Sequence, residues 1–366
     1  MADINNANVD TLVDIASKTA TSVISAALDE NCNEHQLREL LEAEMAVTIK
    51  EQIEQKKLLR QLQLAELDIL IDVDKVCRKH NLRYYVVGGT LIGAVRHKGF
   101  IPWDDDIDIS MPRPDFDKLM KIAKDELPED LFVQTKGTDK GCYFYYAKVR
   151  RTGTYFGENK FEHTTLHKGI FIDIFPLDYV PDSPLLQKFF FKAFTCLIGM
   201  ICSKSKTGEP LYKTSKMPFI WFFRIVQAIL PKSFMLWLRV VLGKLANSMS
   251  KKNYLASLSG FHGFPQEVAP AEWWGDGVDI EFEGRTFRAP SQYHTLLTHM
   301  FGDYMELPPV NKRVCHSVDK EKIIFSGCTM EDYQPKIRRK HSHNYSVSGY
   351  IVEELYPEPE AETENK

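Results

Sequence analysis

The chain has 366 residues, 44% of them hydrophobic and 26% charged, with a formal net charge of -4, enough for one large domain or two with a buried core. A pI near 6.3 and dispersed Lys and Arg exclude the basic footprint of a duplex-binding protein, so no nucleic-acid partner is expected and any nucleotide handled here should be a small donor. Seven cysteines without a Cys-x-x-Cys pair argue for reduced thiols and against a disulfide framework.

The first residues, Met1 to Asn6, carry neither a basic stretch nor an apolar run, so no signal peptide is expected and the site should face the cytoplasm. Residues 7–30 are rich in Ala, Ser and Thr and compatible with helix. From Glu34 to His80 apolar residues recur at three-to-four spacing among Glu, Lys and Gln, which predicts a long amphipathic helix, either continuous or broken. Its last part, Leu64 to Cys77, should pack behind a catalytic sheet. Residues 1–58 read as a helical extension suited to self-association or to docking on the domain, with a solvated extension as the plainer reading.

Next, Arg83–Val87 reads as a short strand, Gly88-Gly89 breaks it, and Thr90 to Val95 restarts as a helix. A glycine turn at a helix start exposes N–H groups to an anion, and Thr90 could cap that helix or touch a phosphate. Arg96, His97 and Lys98 follow closely enough to reach phosphate oxygens, Arg96 being best suited to bidentate contact; a solvated basic loop is the alternative. Asp104, Asp106 and Asp108 then alternate along an expected strand and would share one face, with Ile107 and Ile109 turned to the core. Such crowded carboxylates need a compensating cation, and oxygen-only ligands favour Mg²⁺ or Mn²⁺ over zinc. A solvated turn after Pro102-Trp103 is the plainer reading. A glycine pair closely followed by an Asp-x-Asp strand resembles the nucleotidyltransferase fold of the DNA polymerase β superfamily.

Tyr145–Arg151 reads as a strand that projects Lys148 and Arg150 to one face, either towards nucleotide or acceptor or as the charges of an edge strand. Lys168 to Leu177 is apolar on both faces, so it should be a strand buried on both, and Asp173 inside it is costly unless bound to metal or otherwise compensated. Asp178, just beyond Pro176, suits a structural role instead.

The run GGTLIGAVRHKGFIPWDDDIDISMPRPDFDKL, followed by GIFIDIFPLD and later by FEGRTFRAPSQYHTLLTHMFGDYMELPP, resembles the LicD family over most of residues 59–317. The resemblance implies an α/β (α+β) nucleotidyltransferase-like mixed sheet with helical additions, spanning residues 59–340. It implies transfer of phosphocholine from CDP-choline to sugars of teichoic acid, lipopolysaccharide or other surface glycans; fukutin-type relatives transfer ribitol phosphate from a CDP donor. Position by position, it makes Asp106, Asp108 and Asp173 the metal triad and sets Gly88, Gly89 and Thr90 near the donor phosphates. Asp173 would either bind a second ion or take the acceptor's proton. Alternative readings are transfer of another CDP-linked group, true nucleotidyl transfer, and, more remotely, a nucleotide-binding scaffold.

Residues 183–255 form an insertion crowded with Phe, Trp, Leu and Ile but interrupted by Lys188, Lys192, Arg224, Lys232 and Arg239. Its apolar runs are too short to cross a bilayer, so residues 185–245 should be either a helical subdomain capping the sheet or a surface touching the membrane where a lipid-linked acceptor is carried. Ile280–Phe287 reads as a hairpin and Ser291–Gly302 as a helix, a unit that would close over the acceptor with Tyr293, His294, Asp303, Tyr304 and His316 as its polar candidates. A zinc site from Cys315, His316 and Cys328, or from His163 and His167, lacks the usual ligand spacing. The tail from residue 353 to 366, rich in Glu, is expected to be disordered.

Overall fold

A computed structural model of the chain describes residues 34–158, 161, 164–202, 229–260, 262–309, 312–313 and 323–329. The readings for residues 1–33, for Cys315, His316 and His163, and for the acidic tail lie outside the described residues.

Helix α1 (Glu34–Lys79) is the long helix that the three-to-four spacing predicts, and of the two forms expected, broken or continuous, it takes the continuous one. Its second half lays a stripe of Leu62, Ile69, Leu70, Val73 and Cys77, all fully buried, against the main core. After it come β1 (Tyr85–Val86), α2 (Gly88–His97), β2 (Asp108–Pro112), α3 (Arg113–Glu126), β3 (Leu131–Gln134), β4 (Ala147–Arg151), β5 (Tyr155–Phe156) and β6 (Phe171–Val180). The insertion supplies α4 (Pro184–Cys202) and α5 (Lys232–Ser248). The remainder is β7 (Tyr254–Ala256), β8 (Val268–Pro270), α6 (Ala271–Trp274), the hairpin β9 (Val278–Phe282) and β10 (Arg285–Ala289), α7 (Tyr293–Phe301), and β11 (Ile323–Ile324).

The main sheet has the order β1-β2-β6-β4-β3, with β7 pairing onto β6 and β8 onto β7. Only β2 and β6 are parallel; the other pairings are antiparallel, so this is the mixed sheet of an α/β fold. Strand β6 sits at its centre and is buried along nearly its whole length, as expected for a run apolar on both faces.

Two expectations are corrected. The aspartate strand begins at Asp108, not Asp104. Upstream, the Asp104 amide donates to the Ile101 carbonyl (2.9 Å) and its own carbonyl accepts from Gln63 Nε2 (2.9 Å), so this backbone is held outside a ladder. Strand β4 lies between β6 and β3 and is no edge, so Lys148 and Arg150 are not edge guards.

Helices α4 and α5 pack on each other through Leu197, Ile201, Met235 and Leu236, and on the end of the sheet through Phe191 and Phe194. The opposite side leaves Leu185, Phe189 and Trp237 exposed. Among the described residues no helix is long and apolar enough to cross a membrane.

Asp178, buried on β6, accepts from both Arg113 nitrogens Nε and Nη2 at 2.7 Å and from the Tyr145 hydroxyl at 2.9 Å. Its partners are side chains of α3 and of the segment before β4, which tie two layers to the sheet. An Arg113→Leu variant strands a buried carboxylate and should lose about 3–5 kcal/mol in urea unfolding; adding Asp178→Leu should restore part of the loss.

Candidate active site

Strand register assembles the centre of the site. On β6, Asp173 is the direct partner of Asp108 on one side and of Lys148 on the other. Directly opposite residues of adjacent strands share a face, so these three side chains form one row across β2, β6 and β4. Lys148 Nζ lies 3.0 and 3.2 Å from the two oxygens of Asp173 and 3.5 Å from Glu158, and stands 3.3 Å from the centroid of the Phe171 ring. Arg150 donates to Gln134, to the Gly169 carbonyl and to Glu158. Both cations are 2% exposed. The sequence offered ligand contact or edge-strand charges for these two; the structure turns Arg150 to protein partners and makes Lys148 the counter-charge of Asp173.

The glycine turn abuts this row. Helix α2 starts at Gly88 with Val87 as N-cap and no capping side chain, which leaves its positive end towards the carboxylates. Gly88 has φ +57, a left-handed value suited to glycine. A Cβ on Gly89 would stand 2.4 Å from Asp104 Oδ2, so the missing side chain is what admits the acidic loop. Thr90 neither caps the helix nor faces outward: it is buried, and its hydroxyl accepts from the Asp108 amide at 2.9 Å, which fixes β2 to α2.

Arg96, His97 and Lys98 are not brought to the turn. Eight residues of helix separate Gly88 from Arg96, roughly 12 Å along the axis. There Arg96 donates to the Tyr304 and Glu306 carbonyls, and Lys98, with φ +58, closes α2 and accepts from the Glu283 amide. Burial lowers the pKa of Arg96, assisted by Arg313, and burial also lowers that of His97, assisted by Arg96. Nearness in sequence became distance along a helix. On α7, His294 bonds to the Tyr304 hydroxyl. His167 is buried, and its Nδ1 accepts from the Gly169 amide at 3.1 Å.

A carboxyl group beside the row escaped the sequence reading. Glu66 of α1 is fully buried and neither carboxyl oxygen has a hydrogen-bond partner. Burial, then the charges of Asp106, Asp105, Asp104 and Asp173, raise its pKa well above the usual carboxylate range. A signal was present: Glu66 occupies a core-facing position of the stripe that Leu62, Ile69 and Val73 define.

The electrostatics share one cause. Burial and the charges of Asp106, Asp173 and Asp104 push Asp108 up strongly, against Lys148. Burial pushes Asp173 up to about 6, Lys148 opposing and Glu158 adding. Burial would raise Glu158 too, but Lys148 and Arg150 outweigh it and hold it low. An excess of buried carboxyl groups around Asp106 and Asp108, with an orphaned one on Glu66, fits a divalent cation in charge and donor type. Among the described residues no group of three or more His, Cys, Asp or Glu side chains is spaced to hold an ion by itself. A cation here would therefore be shared between two carboxylates and a phosphate-bearing ligand, a mode natural to Mg²⁺.

Next to the row lies a pocket enclosing about 600 Å³, solvent included. Gly88, Asp108 and Ser110 line one side; Glu267, Trp274 and Phe301 line the other. Sequence reading singled out neither Glu267 nor Trp274, which enter from segments far from the motif.

Residues 81–195 match the family model described as LicD/FKTN/FKRP, nucleotidyltransferase domain. The chain is 29% identical over 280 residues to the lipopolysaccharide cholinephosphotransferase LicD of Haemophilus influenzae, covering 74% of this chain and all of that one. An uncharacterized protein of Rickettsia prowazekii is 36% identical over 72 residues, 20% of this chain and 27% of its own length. Another, from Rickettsia typhi, is 37% identical over 64 residues, 18% and 21% of the two chains.

Burial raises Glu267 to about 7, the His262 amide opposing. A carboxyl whose folded pKa is raised contributes stability that is complete below its unfolded value, near 4.5, and is lost as pH rises through 7. Glu267→Gln should therefore match the parent protein near pH 5 and exceed it near pH 8 by on the order of 2–3 kcal/mol in urea unfolding.

Proposed function

We propose, on the match of residues 81–195 to the LicD-family domain and the likeness to a lipopolysaccharide cholinephosphotransferase, that the chain transfers phosphocholine from CDP-choline to a sugar hydroxyl of a surface glycan. The observation that carries the reading is the Asp108, Asp173, Lys148 row, set beside an uncapped glycine turn and with Asp108 at its end lining a pocket.

In this reading the acceptor oxygen attacks the phosphorus that bears choline, the bond from that phosphorus to the bridging oxygen breaks, and CMP leaves. Gly88 and Gly89 present the amides and positive end of α2 to the donor diphosphate. Asp106 and Asp108 would hold Mg²⁺ or Mn²⁺, whose chemistry when bound is to neutralise charge on the diphosphate. Asp173 takes the proton of the acceptor hydroxyl. Its pairing with Lys148 supports that role over metal ligation, because the lysine already supplies its cation, and a pKa of about 6 suits a base at neutral pH. Lys148 positions Asp173, and Glu158 and the Phe171 ring position Lys148.

An acceptor carried on a lipid would be reached from the membrane surface. The exposed Leu185, Phe189 and Trp237 of α4 and α5 support peripheral contact there. Co-sedimentation with vesicles, with and without anionic lipid, should retain the chain and release it on Phe189→Ser with Trp237→Ser; equal retention of both proteins speaks against this contact.

A donor screen over CDP-choline, CDP-ribitol and CDP-glycerol, with Mg²⁺ and CMP release as readout, should favour CDP-choline, and chelation by EDTA should stop turnover. Asp106→Asn and Asp173→Asn should each lower the rate by roughly 10²–10⁴-fold with the circular dichroism spectrum unchanged. Unaltered rates in both variants, or nucleotide left on the acceptor, would overturn the reading.

A further inference from the structure

The pocket beside Asp108 has a chemistry of its own. Its floor is one face of the sheet: Asp108 and Ser110 alternate along β2, and Phe175 and Leu177 continue the face of β6 that carries Asp173. The opposite wall comes from the loop between β7 and β8, from α6 and from α7, which contribute Glu267, Trp274, Met300 and Phe301. No Lys or Arg lines it.

Glu267 is the unusual member. It is 8% exposed, and among the described residues it forms no ion pair. Its recorded hydrogen bond is from the His262 amide to Oε1, at 3.1 Å. Gly260 packs on it without a side chain, since a Cβ there would stand 2.1–2.2 Å from the carboxyl group. Two further buried polar atoms of the lining, Ser257 Oγ and Trp274 Nε1, also have no hydrogen-bond partner. A buried carboxyl without a counter-charge is costly, and this one is surrounded by aromatic and aliphatic walls.

We propose that this pocket receives the trimethylammonium head group of the donor, with Glu267 as its counter-charge and Phe175, Trp274 and Phe301 as its aromatic walls. The proposal rests on the phosphocholine reading above and adds the residues that select the head group. A quaternary ammonium is a cation with an apolar shell: it needs negative charge and π faces and donates no N–H hydrogen bond. A phosphate at the far wall would meet Glu267 with no Lys or Arg among the described lining residues to neutralise it. Ribitol and glycerol carry no positive charge to offset the buried Glu267. The position also fits, because the pocket begins at Gly88 and Asp108, where the donor phosphates would lie.

The test is calorimetric titration of the full chain with choline, with its neutral isostere 3,3-dimethylbutan-1-ol, and with CMP. Choline should bind, and the isostere should bind roughly tenfold more weakly. Glu267→Gln should weaken choline by roughly tenfold and leave CMP affinity unchanged. Phe301→Leu, which keeps apolar volume but removes a π face, should weaken choline in the same sense. Equal choline affinity in the parent protein and both variants, no choline binding, or an isostere that binds as well as choline would each overturn the proposal. The transfer reading fails separately: choline binding with no CMP release from CDP-choline supports the pocket and sinks the transfer. CMP release from CDP-choline with an unchanged KM in both variants sinks the pocket and keeps the transfer.

Discussion

Carboxylates brought together inside a protein repel one another and resent leaving water, and the centre of this chain contains several. Asp108 and Asp173 are register partners on the two parallel strands, Asp106 lies two residues away, and Glu66 comes up from α1 behind them. Their raised pKa values measure the unfavourable charge that the fold holds in place. Lys148 offsets part of it at Asp173. The remainder is concentrated beside the N-terminus of α2 and its glycine turn.

Holding that charge requires bracing from a distance. Arg60 on α1 grips Glu283 at the tip of the β9–β10 hairpin with contacts of 3.0 and 2.7 Å, and Glu283 accepts from the Phe100 amide (3.1 Å) at the turn that leads into the acidic loop. Gln63, one helical turn on, holds the Asp104 carbonyl. Helix α1 and the hairpin, 223 residues apart at Arg60 and Glu283, thus clamp one loop, and the long helix holds the acidic loop as well as the core. Gly99 belongs to the same clamp, for a Cβ there would meet Glu283 at 2.4 Å.

The reacting row and the pocket beside it are built from different parts of the chain. Strands β2, β4 and β6 carry the charges, whereas residues 257–301 close the opposite wall. Helix α6 is tied to the main sheet in turn: Tyr85 packs on Trp274 at 5.5 Å and donates its hydroxyl to the Gly275 carbonyl, joining β1 to the pocket wall.

Local pattern determined a good deal by itself. The amphipathic spacing of α1, the strand and glycine turn from Tyr84 to Gly89, the two-faced burial of β6 around Asp173, and the hairpin and helix after Val278 were all legible, because each depends on near neighbours. Density of motif residues also carried the family. Only the tertiary structure decided which charges meet. That Lys148 neutralises Asp173, that Thr90 anchors Asp108, that Arg96 to Lys98 stand at the wrong end of their helix, and that Glu66 and Glu267 reach the site at all follow from register and from contacts across tens to hundreds of residues. A side chain's type is written in the sequence, but its partner is a property of three-dimensional packing, and in a buried charged site the partner sets the chemistry.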